Sequence, residues 1–143
     1  MTKIDKDQQL LALLRENARL PISELARKLN VSRTAAQARL QRLERSGIIR
    51  GYTLRLSDDY QQGCIKAMIM IKASPINRTI IEQALNRIPQ LTGLYSISGK
   101  FDMTAIVIAP SVLELDQVID KIGVLDGVEE TQSSVILSTK IDR

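Results

Sequence analysis

The sequence predicts an α+β chain, with an N-terminal helix-turn-helix followed by a C-terminal βαββαβ sandwich of the ferredoxin-like type. Three observations predict it. Residues 21–43, PISELARKLNVSRTAAQARLQRL, read as two short amphipathic helices separated by the turn Leu29-Asn30-Val31-Ser32. Residues 1–50 hold 11 basic and 5 acidic side chains, whereas residues 51–143 hold 9 and 11. Beyond residue 63, apolar segments of strand length alternate with helical stripes in the order strand, helix, strand, strand, helix, strand.

The elements follow in chain order. A first helix is expected over residues 5–17, with Leu10, Leu11 and Leu14 inward and Asp5 and Gln8 at capping-box spacing. In the second, Ile22, Leu25, Ala26 and Leu29 fall at i, i+3, i+4 and i+7, a single apolar stripe. Pro21 suits its first helical position. Asn30 can take the left-handed conformation that ends it, and Ser32 can cap the third helix by accepting a backbone N–H. This three-helix unit ends near Ser46-Gly47. Residues 47–56 read as extended chain and 57–63, SDDYQQG, as a polar linker. Domains are therefore expected at 1–50 and 64–143, with 51–63 as hinge strand and linker.

Residues 64–73, CIKAMIMIKA, read as a strand covered on both faces. Cys64 is expected there as a small buried apolar residue. Asn77 can cap a helix with the stripe Ile81, Ala84, Leu85 and Ile88, closed by Pro89. Strands follow over 93–98 and 103–109, joined by the tight turn Gly99-Lys100-Phe101-Asp102. Ser111 and Glu114 form a second capping box, opening a helix with the stripe Leu115, Val118, Ile119 and Ile122. The last strand is expected over 128–139. Two helices cover only one face of a four-stranded sheet, so the other face needs a cover. A second copy of the same sheet is the simplest one, the alternative being that the linker folds the first domain over that face.

The third helix has a split surface at about 100° per residue. Ala36, Leu40 and Leu43 point inward; Thr34, Ala38, Gln41 and Arg45 point outward, flanked by Gln37 and Arg42. That outer face holds hydrogen-bonding groups and cations, with no carboxylate before Glu44. Gln and Thr can read base edges, and Arg can read guanine or grip phosphate. Arg33, Thr34 and Gln37 lie at the end that reaches bases; Arg42, Arg45 and Arg50 lie where the DNA backbone would pass. Arg39 points nearer the buried stripe and is expected in a structural ion pair.

Composition excludes several classes. The chain has no histidine, which removes Ser-His and Cys-His nucleophiles and histidine-ligated metal. Its one cysteine forms no internal disulfide and no cysteine-cluster metal site. No apolar run approaches the roughly 20 residues needed to span a bilayer, and Met1-Thr2-Lys3-Ile4-Asp5 lacks the apolar core of a signal peptide. A soluble, cytoplasmic protein without cofactor is expected. Residues 93–101 superficially look like a phosphate loop. Five residues separate the glycines instead of four, Phe101 stands where Mg²⁺ needs a hydroxyl, and no helix follows.

Several positions taken together resemble the Lrp/AsnC (feast/famine) transcriptional regulators. They are Ile4-Asp5-x-Asp7, Leu10-Leu11, Arg19, Glu24-Leu25-Ala26, Leu29-x-Val31-Ser32, Arg39, Arg42-Leu43-Glu44 and Gly47-Ile48-Ile49-x-Gly51-Tyr52. Gly99-x-Phe101-Asp102, Gly127-Val128 and Thr131-x-Ser133 continue the series in the second half. The resemblance implies a winged-type helix-turn-helix, a hinge strand and a ligand-responsive sandwich, with dimers that assemble to octamers and bind duplex DNA. It also implies an amino-acid effector held by Ser98, Gly99, Lys100, Phe101 and Asp102 and completed by Thr131, Gln132 and Ser133. Asp102 suits an α-ammonium, and the turn's N–H groups suit a carboxylate. Lys100 stands where the family often has an acid, and Ala38 where it often has a polar residue. A leucine- or methionine-like effector is the expectation. Three alternatives stay open: an amino-acid sensor without DNA function, a regulator without an effector, and an enzyme similar to the siroheme decarboxylases, which the absence of histidine disfavours.

Overall fold

The computed structural model describes residues 5–57 and 59–143. Residues 1–4, on which the signal-peptide expectation and Ile4 of the family pattern fall, lie outside them, as does Asp58 of the linker. The chain divides into two compact units, one up to Arg55 and one from Leu56 onward.

The first unit holds α1 (Lys6–Glu16), α2 (Ile22–Leu29) and α3 (Arg33–Arg45). Leu10, Leu14, Leu25, Leu29 and Leu43 form its core, each contributing roughly 1.5–3 kcal/mol when fully buried. Asn30 is left-handed at φ 56°, and its N–H closes the end of α2. The Ser32 hydroxyl accepts from the Ala35 N–H at 3.1 Å, opening α3. Lys6 Nζ donates to the Leu29 carbonyl, one of the acceptors that a helix end leaves open.

Three local expectations are corrected. Asp5 stands at the N-cap of α1, but its side chain makes no capping bond. Pro21 is the N-cap of α2 rather than its first residue, because its carbonyl accepts from the Leu25 N–H at 3.0 Å while its ψ of 152° stays extended. Residues 47–49 are a turn and bend rather than extended chain, because the Ile49 N–H donates back to the Leu43 carbonyl at 3.0 Å, and residues 50–57 belong to no strand among the described residues.

The second unit holds β1 (Ile65–Ala73), a 3₁₀ turn at Pro75–Asn77, α4 (Arg78–Leu85), β2 (Leu91–Ser96), β3 (Met103–Ala109), α5 (Val112–Gly123) and β4 (Val128–Ile136). The sheet is antiparallel in the order β2-β3-β1-β4, the predicted βαββαβ topology. Ala67, Ile69, Ile71 and Ala73 of β1 and Met103, Ala105, Val107 and Ala109 of β3 face the helices. They bury Ile81, Leu85, Leu115, Val118 and Ile122. Ser111 caps α5 by accepting from the Glu114 N–H at 3.1 Å, as expected.

Asn77 makes no capping bond to α4; the 3₁₀ turn runs straight into the helix, and the Asn77 amide donates to the Ser74 hydroxyl instead. Cys64 is exposed, not buried, because β1 begins one residue after it. The helix-free face carries Met68, Met70, Ile106, Tyr95 and Thr104. Met68 remains 37% exposed and the Thr104 hydroxyl is buried with no hydrogen-bond partner.

Candidate nucleic-acid interface and effector turn

Burial of Ala36 and Leu43 fixes which side of α3 looks outward. Arg33, Thr34, Gln37, Ala38, Gln41, Arg42 and Arg45 are all exposed, as is Arg50 beyond the helix. Ala38, Gln41, Arg42, Arg45 and Ser46 border a shallow hollow of about 470 Å³. Arg33, Arg45 and Arg50 belong to no ion pair among the described residues.

Arg42 differs from the other cations of this set. Asp7 of α1 accepts from Arg42 Nη2 at 2.7 Å on both carboxylate oxygens and from Arg39 Nη1 at 2.8 Å. Arg39 thus sits in the structural ion pair that its direction implied. Arg42, expected from the sequence as a cation for the DNA backbone, has its charge already engaged by Asp7. The partner was not legible because 35 residues separate the two.

The turn between β2 and β3 passes through Gly99 at φ 111°, a conformation that glycine adopts without strain. Ser98, Gly99 and Lys100 are exposed while Phe101 is buried. Asp102 stitches the turn to its surroundings. Its carboxylate accepts from the Ala73 N–H at 2.9 Å and from Arg78 Nη2 at 2.7 Å, and its own N–H donates to the Ile71 carbonyl at 2.9 Å. Lys100 lies 5.4 Å from the Phe101 ring centroid and 3.5 Å from the Glu130 carboxylate.

On β4, Thr131 pairs with Ile71, Gln132 with Met70 and Ser133 with Ile69. Strand alternation sends Thr131 and Ser133 to the helix side and Gln132 to the open face. Within one chain the three therefore do not converge on one point, and the β4 side chain that reaches the turn is Glu130. Arg78 and Glu130 are the charged neighbours that sequence reasoning missed. Opposite charge to Asp102 and Lys100 was the available signal, but only the fold supplies the pairing.

A groove of about 560 Å³ opens separately between α4 and the edge strand β2, lined by residues that include Glu82, Gln83, Asn86, Leu94 and Ser96. Among the described residues no group of three or more His, Cys, Asp or Glu could hold a metal ion. Nor is any of their helices long and apolar enough to cross a membrane.

Comparison with known proteins bears on both units. Residues 66–143 match the family described as the Lrp/AsnC ligand binding domain, and residues 5–50 match the winged helix-turn-helix DNA-binding family. The HTH-type transcriptional regulator LysM of Saccharolobus solfataricus is 31% identical over 136 residues, covering 94% of each chain. The regulator LrpA of Pyrococcus horikoshii is 31% identical over 134 residues, covering 93% of this chain and 95% of its own. Among solved structures, E. coli AsnC superposes with a TM-score of 0.85 at 26% identity, covering 99% of this chain and 97% of that one. The transcriptional regulator NMB0573 of Neisseria meningitidis, solved as an L-Met complex, superposes with a TM-score of 0.82 at 25% identity, covering 96% and 91%.

Proposed function

The chain belongs to the Lrp/AsnC family of transcriptional regulators, with a DNA-binding helix-turn-helix and a ligand-binding unit, and from that premise we propose that α3 reads a specific operator and that an amino acid modulates the binding. Arg33, Thr34, Gln37 and Gln41 contact base edges in the major groove, while Arg45 and Arg50 hold phosphates. One observation carries this reading: the outward face of α3 is exposed, cationic and without carboxylate up to Glu44.

A symmetric pair of chains brings two recognition helices to one face of the duplex, with half-sites about 34 Å apart or a multiple of it. The helix-free sheet face, with Met68 and Met70 at its centre and the unpartnered Thr104 hydroxyl, supports pairing through that surface. Assembly of dimers to an octamer is part of the same reading, as is a cytoplasmic location.

The effector is an apolar amino acid, leucine- or methionine-like, and the L-Met bound to the Neisseria neighbour supports that class. Its carboxylate meets the N–H groups of Gly99 and Lys100, and its α-ammonium shares the Asp102 carboxylate with Arg78. Thr131, Gln132 and Ser133 complete the site from β4 of adjoining chains, since one strand alone presents them to two faces. Binding at the turn biases assembly with a coupling of typically about 1–3 kcal/mol.

Operator affinity measured against salt tests the DNA reading. A steep loss of affinity with salt is expected, and Gln37→Ala with Gln41→Ala should remove preference for operator over random duplex. A flat salt response leaves an amino-acid sensor without DNA function. Thermal melting with each amino acid tests the effector: a ligand held only by the folded state raises the melting temperature. If none does, the effector half of the reading falls.

A further inference from the structure

We propose that Asp7 is a positioning residue for DNA binding, acting through α3: its carboxylate anchors the helix by Arg39 and holds the Arg42 cation away from phosphate. The assignment rests on the DNA reading above and deepens it.

One carboxylate on the first turn of α1 serves two guanidiniums, with donor–acceptor distances of 2.8 Å to Arg39 Nη1 and 2.7 Å to Arg42 Nη2. The Arg39 side chain is 30% exposed and belongs to the packed side of α3, so its bond to Asp7 sets how α3 rolls against α1. The Arg42 side chain is 60% exposed and borders the same hollow as Gln41 and Arg45. It therefore lies beside the proposed DNA face but carries its own counter-charge.

That counter-charge has a measurable consequence. Affinity for duplex gains from each cation that displaces a condensed counterion from phosphate. A guanidinium already bonded to both oxygens of a carboxylate displaces none. Moving Arg42 to a phosphate would forfeit two charge-assisted hydrogen bonds and leave the Asp7 carboxylate with Arg39 as its remaining partner. Asp7 thus trims the sequence-independent part of binding and leaves a larger share to Thr34, Gln37 and Gln41.

The experiment uses the full chain and a mixed-sequence duplex several helical turns long, with affinity measured from about 50 to about 200 mM salt. Asp7→Asn keeps the shape and removes the charge. It should steepen the slope of log affinity against log salt by about 0.9 for each chain bound, the value of one added phosphate contact. Asp7→Glu should restore the wild-type slope, and Asp7→Asn with Arg42→Gln should also return to it. Arg42→Gln alone should leave the slope unchanged, and circular dichroism confirms that each variant is folded. An unchanged or shallower slope in folded Asp7→Asn overturns the assignment alone, as does a flattened slope in Arg42→Gln. A wild-type chain that binds no duplex overturns the DNA reading and this assignment with it.

Discussion

Asp102 and Arg78 meet at 2.7 Å, joining the turn before β3 to the first residue of α4. The other carboxylate oxygen of Asp102 takes the Ala73 N–H at 2.9 Å, at the end of β1. Three elements thus converge on one carboxylate. The residue that the family pattern assigns to effector binding also holds the candidate site in shape.

Replacing Asp102 with Asn should therefore destabilise the chain even without ligand. Hydrogen bonds to charged groups are worth roughly 1.5–3 kcal/mol, and the pair is partly solvated, so a loss of about 2 kcal/mol is expected in urea unfolding. A double-mutant cycle with Arg78→Gln should show a coupling of about 1 kcal/mol. Strict additivity would mean that the pair does not form in solution.

Gly127→Ala should cost more than Gly99→Ala. Both glycines have positive φ, 92° and 111°, so each alanine carries a backbone penalty of order 1 kcal/mol or more. At Gly99 an added Cβ meets nothing within 4 Å, whereas at Gly127 it would stand 2.6 Å from the Asn77 Cβ. Overpacking adds roughly 1–3 kcal/mol there. Chemical denaturation of the two variants checks the ranking, and equal costs would contradict the close approach of Asn77 to Gly127.

Tyr52 gives a pH-dependent test within the first unit. Partial desolvation of this residue, which is still 52% exposed, and then the Glu44 carboxylate push its phenol above the ordinary value. Both disfavour the phenolate, so the folded state holds this proton more tightly than the unfolded chain. Stability from Tyr52 is fully present below the ordinary phenol pKa of about 10 and is lost as pH rises through the higher folded value. Ultraviolet titration of the wild type against Tyr52→Phe should place the Tyr52 midpoint above the ordinary value. Glu44→Gln should lower it part of the way, because desolvation is the larger cause. A midpoint at the ordinary value in the wild type would remove both causes.

Local features were legible because they depend on neighbours in sequence. The left-handed Asn30, the Ser32 and Ser111 caps, and the stripes of α2 and α5 involve residues within a turn or two of each other. The element sequence βαββαβ followed from pattern too, since segments of strand length alternate with helical stripes along the chain. The misreadings fell at element edges. Asp5 and Asn77 have capping identities but no capping bonds, and Cys64 sits one residue outside its strand.

By itself the sequence determined two units, the outward chemistry of α3 and the turn at Gly99, because periodicity and backbone preference act over a few residues. Tertiary structure alone decided that Asp7 engages Arg39 and Arg42, that Asp102 is shared with Arg78 and Ala73, and that Glu130 reaches Lys100. Such pairings join charges far apart in the chain. Any of several acids can partner any of several bases until packing brings particular ones within hydrogen-bonding distance.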